Sequence, residues 1–251
     1  MSHVNRLFVL CAGLGLCVSP ALADSADWQI AASSYMWFPK TESSVETSLG
    51  TVSSDLSARD ALDALDVGVM LGVSAQRGPW SLLGDLFYLD LSFQERTPFG
   101  RVFSAVDTRT TVLSVAGYGL YNLYDRDGLV LDAGLGLRML SSDIEVTLQG
   151  VALNDRDTSA SDTWVDPLFA LRASAHLGQR WRAVVLADAG GFGIDKASDR
   201  TWQIVTVLTY RIGESWSASG GYRHLYFDRE NDGVPYELEM SGPLLGVSYR
   251  F

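Results

Sequence analysis

Period-two alternation through most of residues 28–251, connections that alternate between short and long, and a strand pattern running to the final Phe251 predict an all-β fold. The architecture expected is a closed antiparallel transmembrane β-barrel of about ten strands, with short periplasmic turns and longer extracellular loops.

The first element is not part of that barrel. Residues 1–23, "MSHVNRLFVLCAGLGLCVSPALA", carry Arg6, an apolar run from Leu7 to Leu16, and Ala21-Leu22-Ala23 before Asp24. This is the pattern of a secretory signal peptide cleaved after Ala23, and its apolar run is shorter than the ~20 residues of a membrane-spanning helix. Residues 24–251 then form one barrel domain, because no linker or composition shift divides them. Both cysteines, Cys11 and Cys17, precede the cleavage site, so the exported chain draws nothing from disulfides. The full chain has a net charge of −11; loss of Arg6 leaves 19 − 1 = 18 basic residues against 30 acidic ones, or −12. Such a chain is repelled by phosphate backbones, which excludes nucleic acid as a partner.

Ten alternating segments follow, near Trp28–Phe38, Val67–Arg77, Trp80–Ser92, Thr110–Leu123, Leu129–Ser141, Val165–Leu177, Trp181–Gly193, Trp202–Ile212, Trp216–Phe227 and Ser241–Phe251. Most reach the 9–11 residues that a tilted transmembrane strand needs. "QRGPW", "LYDRDG", "LGQRW" and "IGESW" read as short turns. Between them lie longer polar connections at Pro39–Asp66, Gln94–Asp107, Ser142–Asp162, Asp195–Thr201 and Asp228–Met240. An even strand count places both termini on the short-turn, periplasmic side. Within the first connection, "SSVETSLGTVSSDLS" is compatible with a hairpin around Gly50, and "ARDALDAL" with one or two helical turns. If both arms of that hairpin crossed the membrane the count would be twelve. Their polarity and shortness favour an extracellular or lumen-folded excursion.

One row of each strand is apolar, as in Leu245, Val247, Tyr249 and Phe251, or Leu131, Ala133, Leu135, Leu137 and Met139. The opposite rows carry Asp85, Asp132, Arg138, Asp166, Arg172, Asp188, Arg211, Arg223 and Arg250. Alternation alone does not say which row faces inward. The signal peptide, the aromatic residues at strand ends (Trp80, Trp181, Trp202, Trp216, Tyr210, Tyr249, Phe251) and the terminal strand favour apolar rows facing lipid and charged rows lining the lumen.

The stretches "WSLLGDLFYLDLS", "WVDP", "DAGGFG", "TWQ", "GYRHLYFD" and "MSGPLLGVSYRF" resemble an uncharacterised family of small porin-like outer-membrane barrels of Gram-negative bacteria. The resemblance covers most of residues 24–251 and is strongest in the last third, although His224 stands where the family often has an aromatic such as Tyr. It implies an outer-membrane location among lipid and lipopolysaccharide. The terminal row ending in Tyr249 and Phe251 resembles the signal read by the barrel-assembly machinery, which implies that machinery and periplasmic chaperones as partners during biogenesis. Oligomeric state stays open.

As chemistry, the lumen charges read either as the wall of a narrow selective channel or as mutually satisfied pairs that plug a small barrel. Two histidines remain after cleavage, His176 and His224, and Ser174 shares a face with His176 at the periplasmic end. A triad needs three groups within hydrogen-bond reach, so no catalytic residue is expected. Asp228, Glu230, Asp232, Gly233 and Glu239 match positions 1, 3, 5, 6 and 12 of a calcium loop, but strands flank them and Pro235 stiffens the segment. An acidic solvated hairpin is the simpler reading, and no metal or cofactor is expected. The resulting functional expectation is a structural or porin-like barrel. A surface-binding barrel acting through its loops and a lipid-modifying enzyme remain as alternatives.

Overall fold

The structure is a computed structural model that describes residues 28–47, 50–57, 59–60, 64–96, 103–150, 156–231 and 234–251. The segment expected to be a signal peptide lies outside the described residues. Twelve strands form one antiparallel sheet: β1 Gln29–Trp37, β2 Lys40–Thr47, β3 Gly50–Leu56, β4 Leu65–Arg77, β5 Trp80–Arg96, β6 Phe103–Arg126, β7 Leu129–Gly150, β8 Arg156–Leu177, β9 Trp181–Gly191, β10 Arg200–Arg211, β11 Trp216–Asn231 and β12 Val234–Arg250. Ten of them, β1 and β4 to β12, close into a barrel when β12 pairs with β1 from Ala31↔Arg250 to Trp37↔Leu244.

The register sets the barrel's shape. Hydrogen-bonded partners lead from Ala31 through Ser74, Leu83, Tyr118, Gly136, Leu168, Gly190, Thr201 and Phe227 to Leu238. Leu238 stands 250 − 238 = 12 residues from Arg250, the direct partner of Ala31. With ten strands and that stagger, ordinary strand spacing gives a tilt of about 40° and a backbone radius of about 10 Å. Inward side chains from opposite walls can meet across such a cylinder.

β2 and β3 are the hairpin around Gly50, and they do not cross the membrane. β2 continues β1 beyond Phe38-Pro39 and pairs with the outer end of β12, from Lys40↔Ser241 to Val45↔Tyr236, while among the described residues β3 pairs only with β2. The ladder breaks where Pro39 lacks an N–H to donate, and the Phe38 N–H instead reaches the Pro243 carbonyl at 3.0 Å. Arg59 and Asp60 form a helical fragment and are exposed rather than packed into the lumen; residues 58 and 61–63 of the expected helical turns lie outside the described residues.

Three of the expected loops require correction. Gln94–Asp107, Ser142–Asp162 and Asp228–Met240 are largely strand, because β5 to β8 and the β11–β12 hairpin run on past the membrane. There both sheet faces meet water, so polar residues occupy both rows and the period-two signal disappears from the sequence. The β6–β7 hairpin, still paired at Phe103↔Gly150, extends roughly ten residues, or about 25 Å, beyond the level of Trp202. The periplasmic turns agree with expectation. Asp127 and Gly128 both have positive φ, 54° and 79°, the geometry an Asp-Gly hairpin turn supplies.

Outward rows are apolar in a continuous belt, with Leu71, Leu135, Leu171, Ile204, Leu208 and Leu245 all exposed. Below the belt, Trp80 packs on Tyr121, Trp181 on Tyr210, and Trp216 on Tyr249, which also meets Phe251. Above it, Trp202 stacks on His224 at 4.4 Å and lies beside Tyr226. Apolar faces between two aromatic rings are what a bilayer selects in a barrel.

Candidate functional site: the sealed lumen

The inward rows build three levels. Nearest the periplasm, Asp132 and Arg172 are direct cross-strand partners on β7 and β8 and form an ion pair at 2.8 Å. Arg172 Nη2 also donates to Ser81 Oγ at 2.8 Å, and Asn122 Nδ2 donates to Asp132 Oδ1 at 3.0 Å. Arg182 donates to Ser174 Oγ at 3.2 Å.

At mid-height two ion pairs join non-adjacent strands, β7 with β9 and β5 with β11. Arg138 is 0% exposed and gives Nη2 to both oxygens of Asp188 at 2.7 and 2.8 Å. The same nitrogen lies 3.2 Å from Tyr118 Oη, while Nη1 donates to Thr201 Oγ1 at 3.2 Å. Tyr118 Oη and Gln203 Nε2 each donate to Asp188 Oδ2 at 2.9 Å, so the buried carboxylate on β9 is met from three other strands, β6, β7 and β10. The Tyr118 ring reaches this position because residue 136 is glycine: a Cβ there would come within 2.6 Å of the ring. The second pair joins Arg223, 2% exposed, to Asp85 at 2.9 Å. Tyr35 Oη donates to Asp85 Oδ1 at 2.6 Å and accepts from Arg223 Nη1 at 3.0 Å. The Arg223 guanidinium packs against both the Trp37 and Phe87 rings, 4.9 and 5.0 Å from their centroids, so aromatic rings cover the cation where hydrogen bonds do not.

Above these pairs the lumen is apolar. Trp37, Met70, Phe87, Leu89, Leu140 and Leu225 form one buried cluster with Phe227, Met240 and Trp164. The β9–β10 connection closes over it through a tight bend with positive φ at Gly191, Phe192, Gly193 and Asp195. Asp166, fully buried, holds that bend: it accepts from the Ser198 N–H at 2.7 Å, from Ser198 Oγ at 3.0 Å and from Trp164 Nε1 at 3.2 Å. Arg229 covers Trp164 at 4.6 Å and donates to the Lys196 carbonyl at 2.6 Å. Replacing Asp166 with Ala should therefore free the bend while the barrel stays folded. Protease cleavage between residues 192 and 199 is the measurement: a variant as resistant as wild type would show that the carboxylate does not hold the loop.

Of the nine charged residues expected in the lumen, Asp85, Asp132, Arg138, Asp166, Arg172, Asp188 and Arg223 lie inside it. Arg250 lines its periplasmic mouth, and Arg211 sits on the rim, exposed, with Nη2 on the Gln179 carbonyl at 2.7 Å. Tyr249 and Phe251 face outward at the lower aromatic ring. His224 also faces outward, its Nε2 3.7 Å from Glu239. Asp228 is paired with Arg200 at 2.6 Å, and Asp232 and Gly233 of the calcium spacing lie outside the described residues. Among the described residues no group of three or more His, Cys, Asp or Glu is arranged to hold a metal ion. Sequence reasoning placed Gln203 on the inward row with Arg211 but missed Tyr35, Trp37, Phe87, Tyr118, Thr201 and Ser198. For Phe87 and Thr201 the signal was present, since they share inward rows with Asp85 and Arg211, whereas β1 and β6, which carry Tyr35, Trp37 and Tyr118, hold none of the recognised charges.

No family model and no curated protein matches the chain. Solved structures do. The outer membrane protease OmpT from Escherichia coli is similar with a TM-score of 0.54 at 10% identity, over 89% of this chain and 97% of that one. The translocator domain of the autotransporter NalP from Neisseria meningitidis gives 0.45 at 15% identity over 91% and 90%. Ail of Yersinia pestis, in its complex with the heparin analogue sucrose octasulfate, gives 0.38 at 13% identity over 90% and 99%. The chain has the outer-membrane β-barrel fold. At 10% identity the likeness to OmpT is one of fold, and the chemistry of this barrel is read from its own lumen.

Proposed function

We infer that this chain is a sealed structural barrel of the Gram-negative outer membrane, exported on a signal peptide cleaved after Ala23, and neither an open pore nor a catalyst. The observation carrying this reading is the burial of Arg138 and Arg223 at mid-lumen. A water-filled channel would wet its charged lining, whereas these two guanidiniums have lost nearly all contact with solvent. Ten strands fall near the size at which inward side chains fill a barrel. The strand extensions above the upper aromatic ring favour a second role on the same scaffold, a surface that binds partners outside the cell.

Planar-bilayer conductance tests the seal. Wild-type protein, shown to be folded by its heat-modifiable migration, should give no steady current. A variant with Trp37, Phe87, Leu225 and Phe227 all changed to Ala should conduct. Steady wild-type conductance would overturn the reading. For the second role, trimming β6–β7 above Thr110 should remove binding to an external partner and leave the barrel folded.

A further inference from the structure

Beneath the seal the lumen is not full. A cavity of about 300 Å³ opens below the Tyr35–Asp85–Arg223 cluster, with walls formed by Leu83, Val184, Leu186, Val205, Val207 and Leu244. A second cavity of about 120 Å³ lies at the periplasmic mouth and adjoins the first, sharing Ala31, Ser74, Leu83 and Arg172 with it. The mouth carries three arginines, Arg172, Arg182 and Arg250. Asp132 is committed to Arg172. Among the described residues no carboxylate pairs with Arg182 or Arg250, and the Arg182 Nε is buried without an acceptor.

An apolar chamber with a roof that admits nothing from outside, and a doorway with surplus positive charge, is shaped for one class of molecule. We propose that the periplasmic half of the lumen binds an anionic amphiphile, its aliphatic chain in the chamber and its carboxylate or phosphate on Arg182 and Arg250. Low-dielectric walls strengthen the attraction of the arginines for the head group, and two planar guanidiniums match either oxyanion through paired N–H donors. Burial of the chain then adds affinity in proportion to the apolar area removed from water. A cation of the same length meets the same walls and the wrong charge.

The test uses full-length exported protein refolded into lipid nanodiscs, with calorimetric titration against octanoate, octyl phosphate, acetate and octyltrimethylammonium, and empty nanodiscs subtracted. Octanoate and octyl phosphate should bind saturably, the tighter identifying the head group, and acetate and the octyl cation at least tenfold more weakly. Arg182→Gln with Arg250→Gln should lower affinity for both octyl anions at least tenfold. Val207→Trp, which fills the chamber, should erase the advantage of octanoate over acetate without weakening acetate. Heat-modifiable migration certifies the fold of each variant, and because the two changes act at opposite ends, either one alone decides. Heats no greater than those of empty nanodiscs, equal binding of the octyl cation, or unchanged binding in a folded variant would overturn the proposal. A conducting barrel that still binds octanoate would overturn only the sealed reading, and a silent barrel that ignores both octyl anions would overturn only this one.

Discussion

Changing Arg138 to Ala should destabilise the barrel by about 3–5 kcal/mol, the cost of leaving a buried carboxylate without its counter-charge. Asp188 would keep the Tyr118 hydroxyl and the Gln203 amide, both at 2.9 Å, but these neutral donors do not balance a full charge where water does not reach. The mirror change, Asp188→Ala, strands the guanidinium instead, with a loss of similar size. Replacing both, Arg138→Met with Asp188→Leu, should recover most of the loss, because an apolar pair of similar volume carries no desolvation cost. Urea unfolding in lipid vesicles, followed by heat-modifiable migration, gives the midpoints. Single variants that each lose under about 1 kcal/mol would mean that water screens the pair and that the lumen is open at its level.

A charge placed on the outside should cost nearly as much, and by a different mechanism. Leu135 is 60% exposed on the outer face of β7, near the middle of the apolar belt. Arginine there should cost about 2–4 kcal/mol, whereas arginine at Leu129, on the same strand and row but beside the periplasmic turn, should cost about 0–1 kcal/mol. The contrast isolates depth, since both residues are leucines on one face of one strand. The same urea titration measures it. Equal costs at the two positions would contradict the placement of the belt.

Both predictions depend on which way the rows face, and there the sequence went far but not all the way. Leu131, Ala133, Leu135 and Leu137 on one row against Asp132 and Arg138 on the other define a two-faced strand in any environment. The short turns were equally legible, because Asp127-Gly128 carries its geometry in its own two residues. Strand ends in β5 to β8 were not. Once both faces are wet, nothing selects apolar residues for either row, and pairing is maintained by the neighbouring strand's backbone.

Local chemistry therefore determined, from sequence alone, the alternation, the turns and the set of charges on one face, and left the count between ten and twelve until the pairing of β2 with the outer end of β12 fixed it. Tertiary structure decided the partners. On β7 and β8, Arg138 stands directly opposite Asp166, and a reading along the sheet would join them. Instead Arg138 reaches past β8 to Asp188 on β9, and Asp166 closes the β9–β10 bend through Ser198. Likewise Tyr35, Asp85 and Arg223 meet from separations of 50 and 188 residues. The physical reason is curvature. A pairing rule between adjacent strands acts along the sheet, but a stagger of twelve over ten strands rolls the sheet to a radius at which long side chains from distant strands reach each other. Whether a lumen is a channel or a plug is settled by those contacts across the barrel, and no local window of residues contains them.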